Sequence, residues 1–201
     1  MREPGSSSKL RTVLGWTMLA VGLAVFAVRL QHAGAYAVPR GGNLFGGLGA
    51  LLLGGLLLWR AAPRWLGWLA LAASPVVLFF GLYATMAELE EVVSLYATDR
   101  AGRPTELRLW IVDREDGAWV GMPRAKAVEH ALDGARLELL RNGETRCVVP
   151  ILHEDRATVK AIHAQKVEKY AVARGAAAIG FYPREARESA VSLRLDPCPG
   201  E

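Results

Sequence analysis

The stretch "YATDRAGRPTELRLWIVDREDGAWV", from Tyr96 to Val120, decides the fold of the second half of this chain. Two clusters of turn-forming residues, "DRAGRP" at 99–104 and "DREDG" at 113–117, divide it into three segments. In the middle segment, 105–112, apolar side chains alternate with polar or aromatic ones, which is the period of a half-buried strand. The stretch therefore predicts successive strands joined by tight turns.

The rest of this half predicts further strands and two helices. Strands are expected at 92–98, 105–112, 118–122, 135–140, 145–152 and 191–195, a short helix at 123–132 and a long helix at 155–174. The fourth and fifth strands form a hairpin at Asn142–Gly143, because Asn-Gly is the strongest short hairpin signal. The order β-β-β-α-β-β-α-β predicts an antiparallel barrel of about six strands with two helices, since a hairpin-rich sheet of this size tends to close.

Upstream of the barrel, residues 1–88 contain three apolar runs, at about 12–30, 41–59 and 65–87. A helix needs roughly 20 apolar residues to cross a bilayer core of about 30 Å. We therefore predict a three-helix transmembrane region at 1–88, followed by the barrel domain at 89–201. Two alternatives remain open: a buried hairpin in a soluble protein, and a secretion signal in the first run with "AYA" at Ala35–Ala37 as its cleavage site.

The distribution of charge predicts both a location and an orientation. Residues 1–88 carry a net charge of +5 and residues 89–201 a net charge of −1, so the folded domain lacks the basic patch that nucleic-acid binding requires. We therefore expect the lipid bilayer, and no nucleic acid, as a partner. The basic residues predict a multi-pass protein of the cytoplasmic (inner) membrane with its N-terminus inside and its C-terminal domain outside. They are Arg2, Lys9, Arg11, Arg60 and Arg64 on the inner flanks, against Arg29 and Arg40 on the outer loop.

The histidines and cysteines of the barrel domain form no recognisable catalytic or metal motif. His130, His153 and His163 do not have the short fixed spacings of metal ligands, so we expect no metal site. Cys147 and Cys198 could remain free thiols or form one disulfide in an oxidising compartment, and the sequence does not choose between these states. The charged residues of the long helix, Lys160, Lys166, Glu168 and Lys169, are expected to form a solvated face.

Several phrases of the second half, in their order and spacing, resemble the split β-barrel flavin-binding superfamily. The nearest resemblance is to its deazaflavin-dependent nitroreductase and quinone reductase family. The phrases are "LYATDRAGRPTELRLWIVD" at 95–113, "ARLELLRNGETRCVVP" at 135–150, "VEKYAV" at 167–172 and "SLRLDP" at 192–197. The resemblance covers about residues 92–197.

This resemblance implies an oxidoreductase that transfers hydride from a deazaflavin (coenzyme F420) or FMN to a lipophilic acceptor such as a quinone. It implies that the cofactor phosphate meets five residues, Arg100, Arg103, Thr105, Arg124 and Lys126. No side chain need act as a catalytic acid or nucleophile, because the cofactor carries the chemistry. It also implies a homodimer paired through the sheets. The alternative is a non-catalytic membrane protein, without a cofactor, whose barrel binds a ligand or a protein partner.

Overall fold

A computed structural model describes residues 6–31, 35–36 and 43–200 of the chain. The chain forms two compact units. The first is made of helices from residues 6–31 and 43–88, and the second contains the barrel, from residue 89 onward, together with residues 35–36. Residues 41 and 42 of the second predicted apolar run lie outside the described residues, as does Ala37 of the predicted cleavage site.

The first unit contains three helices: α1 (Ser6–Leu30), α2 (Asn43–Leu58) and α3 (Arg64–Leu89). Of the helices described, α1 and α3 are long and apolar enough to cross a membrane, with mean hydropathies of 2.0 and 1.9. The apolar part of α2 is shorter, Gly46–Leu58. A helix of its 16 residues rises about 24 Å, less than a bilayer core. Length and composition therefore support two spans, and the predicted third span is not confirmed.

Small residues bring α1 and α2 together. A Cβ atom added at Gly54 would lie 2.9 Å from the carbonyl oxygen of Gly15, and one added at Gly22 would lie 2.9 Å from that of Gly47. These glycines therefore let the two backbones approach more closely than any larger residue would permit. Helices in lipid commonly associate through small residues in this way, because the hydrophobic effect does not drive helices together there.

The second unit is a closed antiparallel barrel in which six strands lie in the order β1-β2-β3-β6-β5-β4 within the described residues. The strands are β1 (Val92–Thr98), β2 (Pro104–Arg114), β3 (Gly117–Pro123), β4 (Leu137–Arg141), β5 (Glu144–His153) and β6 (Ala190–Pro197). The sheet closes through the pairing of β1 with β4. The helices of this unit are α4 (Arg124–Glu129), α5 (Arg156–Lys169) and α6 (Ala171–Ala178). The predicted six-stranded antiparallel barrel with helices is thereby confirmed.

Apolar side chains from all six strands fill the barrel. Leu95, Leu107, Ile111 and Leu193 are fully buried in this core, and burying a side chain of this kind contributes about 1.5–3 kcal/mol. The hairpin between β4 and β5 turns at Asn142 and Gly143, whose φ angles are 53° and 83°. Positive φ at both central positions is what a tight hairpin requires, which explains the predictive value of Asn-Gly there.

The long helix predicted at 155–174 is interrupted at Tyr170, which has an extended backbone (φ −96°, ψ 117°) between α5 and α6. The interruption has a tertiary cause. The Tyr170 hydroxyl accepts a hydrogen bond from the backbone N–H of Ile111 at 2.8 Å and lies 2.6 Å from the carbonyl oxygen of the same residue. Its ring stacks on Trp110 with centroids 4.8 Å apart. These contacts with β2 outweigh the local preference for a continuous helix.

Candidate functional site

The turn between β1 and β2 holds two of the five residues predicted to bind a cofactor. One oxygen of the Asp99 carboxylate accepts hydrogen bonds from the backbone N–H groups of Ala101 and Arg103, at 2.8 and 2.9 Å. The other pairs with the guanidinium of Arg103 at 2.7 Å. The hydrogen bond from the backbone of Arg103 contributes most to holding the pKa of Asp99 below its usual value. Asp99 therefore shapes the turn and neutralises one of its arginines.

The structure brings Arg100 and Arg103 together at a cavity of about 560 Å³ between this turn and α4. The other three predicted residues lie apart from that cavity's lining. Thr105 is buried, and its hydroxyl donates to the carbonyl oxygen of Arg103 at 3.3 Å. Arg124 pairs with Glu154 at 2.8 Å. Desolvation by burial lowers the pKa of Lys126, which reflects a partly enclosed amine.

The charges around this cavity determine how well it could hold a cofactor phosphate. Arg100 and Arg103 share the lining with two carboxylates, those of Asp99 and Glu129. A phosphate is held best where donors carry positive charge that no neighbouring acid offsets. The described donors therefore do not fit a phosphate-bearing cofactor well, and we assign no cofactor-dependent step to them. The five cofactor positions stay predictions.

A second cavity, of about 400 Å³, lies between α5, the strands β3 and β6, and the loop before β6. We call it the α5 cavity. Helix α5 supplies one wall through Val159, Ile162, His163 and Lys166, which the helical repeat places on one face. The volume falls within the range of small-molecule sites.

Lys166 is the residue of the α5 cavity that bears most on its function. The prediction that Lys166 lies on a solvated face is wrong. It is 8% exposed. Its ammonium group lies 3.4 Å from the carbonyl oxygen of Gly121, and no carboxylate pairs with it in the described part of the chain. Desolvation by burial lowers the pKa of Lys166 to about 8. A Cβ atom at Gly121 would lie 3.0 Å from the amine, so glycine leaves the space that the amine occupies.

Aromatic residues complete the α5 cavity. The ring of His163 stacks on that of Tyr182, with centroids 5.4 Å apart and planes 1° from parallel. The Nε2 atom of His163 lies 2.8 Å from the carbonyl oxygen of Pro183, where it donates as N–H. Burial lowers the pKa of His163, so the ring is neutral near pH 7. Phe181 also lines the cavity and is 41% exposed.

The loop that forms the outer wall of the α5 cavity is held to α5 by Arg156. Its guanidinium donates to the carbonyl oxygens of Ala186 and Arg187, at 2.9 Å in each case. At the start of α5, the carboxylate of Asp155 accepts the N–H of Thr158 at 2.8 Å and so caps the helix. The loop wall of the α5 cavity is therefore held to the start of α5.

An ion-pair cluster at the far end of α5 joins that helix to the beginning of the barrel. Arg141 donates to both carboxylate oxygens of Asp113 at 2.6 Å and to Glu91 at 2.8 Å. Lys169 also pairs with Glu91. Although desolvation opposes it, hydrogen bonding to Lys169 and Arg141 lowers the pKa of Glu91. Each acid in the cluster has a basic partner, which indicates a structural role.

Cys147 and Cys198 form a disulfide that ties the C-terminal end of β6 to β5, with their Cα atoms 5.4 Å apart. This separation is typical of a bridge and settles the alternative that the sequence leaves open.

Nowhere in the described ranges do three His, Cys, Asp or Glu residues gather as a metal site would require. His153 packs its ring against Trp119 instead, with centroids 4.8 Å apart.

Comparisons with known proteins give likenesses of backbone shape only. No family model matches the chain, and no curated protein matches it. The haem storage protein HutZ of Vibrio cholerae has a TM-score of 0.39 and 15% identity, over 57% of this chain and 87% of its own. A putative pyridoxamine 5'-phosphate oxidase of Listeria innocua has a TM-score of 0.40 and 12% identity, over 56% and 87%. Campylobacter jejuni ChuZ has a TM-score of 0.41 and 11% identity, over 64% and 61%.

None of these three descriptions names a deazaflavin, so the deazaflavin branch of the predicted resemblance is not confirmed. Likenesses at this level concern the backbone and not a ligand or a reaction.

Proposed function

We propose that this protein is a membrane-anchored barrel that binds a small lipophilic molecule in the α5 cavity. The observation that carries the proposal is the burial of Lys166, which has no carboxylate partner among the described residues, in the wall of a mostly apolar cavity. Small-molecule sites combine apolar walls with a few placed polar groups. Burying a charge without a partner costs stability, so a buried lysine beside a cavity favours a binding role.

The apolar helices support a ligand taken from the membrane. Helices α1 and α3 are long and apolar enough to cross a bilayer. With these helices as the anchor, we expect the ligand to be a molecule that partitions into lipid.

We place the barrel outside the cytoplasm. The disulfide Cys147–Cys198 supports this side, because such bridges persist in oxidising compartments and are rare in the cytosol. The excess of basic residues on the predicted inner flanks supports it too. A reporter that is active only outside the cytoplasm, fused after Glu201, is expected to be active. Activity of a cytoplasm-only reporter at the same position would contradict the orientation.

The ligand site can be tested without knowing the ligand. The full chain in phosphatidylcholine nanodiscs is treated with formaldehyde and cyanoborohydride, and methylation of each lysine is followed by peptide mass spectrometry. We expect the neutral probe 2-naphthylmethanol, at millimolar concentration, to slow methylation of Lys166. Methylation of Lys160, which is exposed on the same helix, should not change. Equal rates at Lys166 with and without the probe would rule out binding in the α5 cavity.

The second candidate function is hydride transfer from a flavin-type cofactor to a lipophilic acceptor such as a quinone. One observation favours it, that Arg100 and Arg103 line a common cavity beside α4, and the carboxylates of Asp99 and Glu129 in the same lining oppose it. The same preparation should then bind FMN or a reduced deazaflavin at micromolar concentration and show the cofactor's absorption after gel filtration. Absence of both, with probe binding retained at Lys166, would favour the non-catalytic function.

A further inference from the structure

We propose that the ligand of the α5 cavity is a molecule with one carboxylate on a flat apolar body, and that Lys166 pairs with this carboxylate. This inference rests on the proposed function and names the class of ligand. It depends on the charge of one buried side chain, on the apolar and aromatic walls around it and on the groups that surround its amine.

The charge of Lys166 favours an acidic ligand. A buried ammonium group is stable when an acid pairs with it, and burial without such a partner is costly. The residues described around the amine supply a single long contact, to the carbonyl oxygen of Gly121. A ligand carboxylate would supply the missing opposite charge and a charge-assisted hydrogen bond. One buried amine matches one carboxylate, and the other cation of the described lining, Arg187, is exposed to solvent.

The walls of the α5 cavity indicate the shape and polarity of the ligand. Val159 and Ile162 are buried apolar side chains on the α5 wall. Tyr182 and Phe181 add two aromatic rings on the loop side. Aromatic walls favour flat conjugated molecules, because offset-stacked and edge-to-face contacts add to the burial of apolar area. The volume of about 400 Å³ accommodates a small ring system.

Among the described residues that line the cavity, Lys166 is the one buried cation. On α5, His163 is neutral near pH 7, because burial lowers its pKa. On the loop, Arg187 and Tyr182 line the cavity, and Arg187 is exposed. The parts of β3 and β6 that line the cavity contribute glycine, serine and apolar residues only. An acidic residue occurs nowhere in this lining.

The test compares 2-naphthoate with the neutral 2-naphthylmethanol, which share the same rings. Binding to the full chain in nanodiscs is measured by equilibrium dialysis, with empty nanodiscs as the blank. We expect naphthoate to bind at least about tenfold more tightly, because hydrogen bonds to charged partners are stronger than neutral ones. Lys166→Met should abolish this preference, and Lys160→Met should preserve it.

The pH dependence gives a second measurement. A carboxylate requires the protonated amine, and the pKa of Lys166 in the empty cavity is about 8. Naphthoate affinity should therefore be constant near neutral pH and fall as pH rises above this value, by up to about tenfold per pH unit. Affinity for the alcohol should not follow this curve.

The outcomes separate the two proposals. Equal affinity of the two probes for the native chain, with Lys166 protected by both, would overturn the carboxylate class and keep the ligand site. Absence of binding by either probe would overturn the ligand site and the carboxylate class together. Replacing naphthoate by decanoate distinguishes a flat ring from a fatty chain, since a tighter decanoate would contradict the flat body.

Discussion

The double variant Cys147→Ser/Cys198→Ser is expected to lower the free energy of unfolding of the barrel by about 4 kcal/mol, because the bridge closes a loop with a sequence separation of 51 residues. A crosslink of this span removes much of the conformational freedom of the unfolded chain. The measurement is a urea titration of the full chain in detergent, followed by near-ultraviolet circular dichroism.

The matched control uses the native sequence with and without a thiol reductant. The reduced native chain should unfold at the same lower urea concentration as the double variant. Each single variant should show the full loss, since either cysteine alone leaves no bridge. Coincident unfolding curves for the oxidised and reduced native chain would show that the bridge adds no stability or does not form.

Replacing Lys166 by Met is expected to raise the free energy of unfolding at pH 7 by roughly 3 kcal/mol. The pKa of Lys166 is about 8 in the folded chain against an ordinary lysine pKa of 10.5, and each unit of difference corresponds to about 1.4 kcal/mol. Methionine keeps the length of the side chain and removes the charge. A substitution that strengthens the fold while abolishing carboxylate binding is the result expected of a residue kept for function.

The sign of the pH dependence follows from the same values. Between pH 8 and 10.5 the unfolded chain binds more protons at Lys166 than the folded chain, so native stability rises with pH in this window. The advantage of Lys166→Met should therefore be full below pH 8 and shrink towards pH 10.5. Lys160→Met should change stability little at any pH, because Lys160 is exposed. A destabilised Lys166→Met chain at pH 7 would contradict an unpaired buried ammonium.

The strands of the barrel were predictable from the sequence because their signal is local. Leu107, Leu109 and Ile111 occupy alternate positions in the sequence, and Leu107 and Ile111 are fully buried in the structure. Asn142 and Gly143 form the tight turn that this dipeptide favours. These signals depend on a few consecutive residues, and the fold agrees with each of them.

Other features depend on partners far away in the chain, and sequence patterns gave no reliable sign of them. The break at Tyr170 depends on Ile111, which is 59 positions distant. The role of Lys166 depends on Gly121, 45 positions distant. The helical stripe of Val159, Ile162 and Lys166 was the available signal for a lysine directed inward, and the ordinary preference of lysine for solvent opposed it.

The sequence by itself determined an antiparallel barrel of about six strands and an apolar N-terminal half, because strand period, turn chemistry and hydropathy depend on neighbouring residues. The tertiary structure alone decided that Cys147 bonds to Cys198. It also decided that Arg100 and Arg103 share a cavity with Asp99 and Glu129. Most of all, it decided that Lys166 is buried, with no acid paired to it in the described ranges of the chain. Pairing and burial are relations between distant segments, and only the closed sheet brings those segments together.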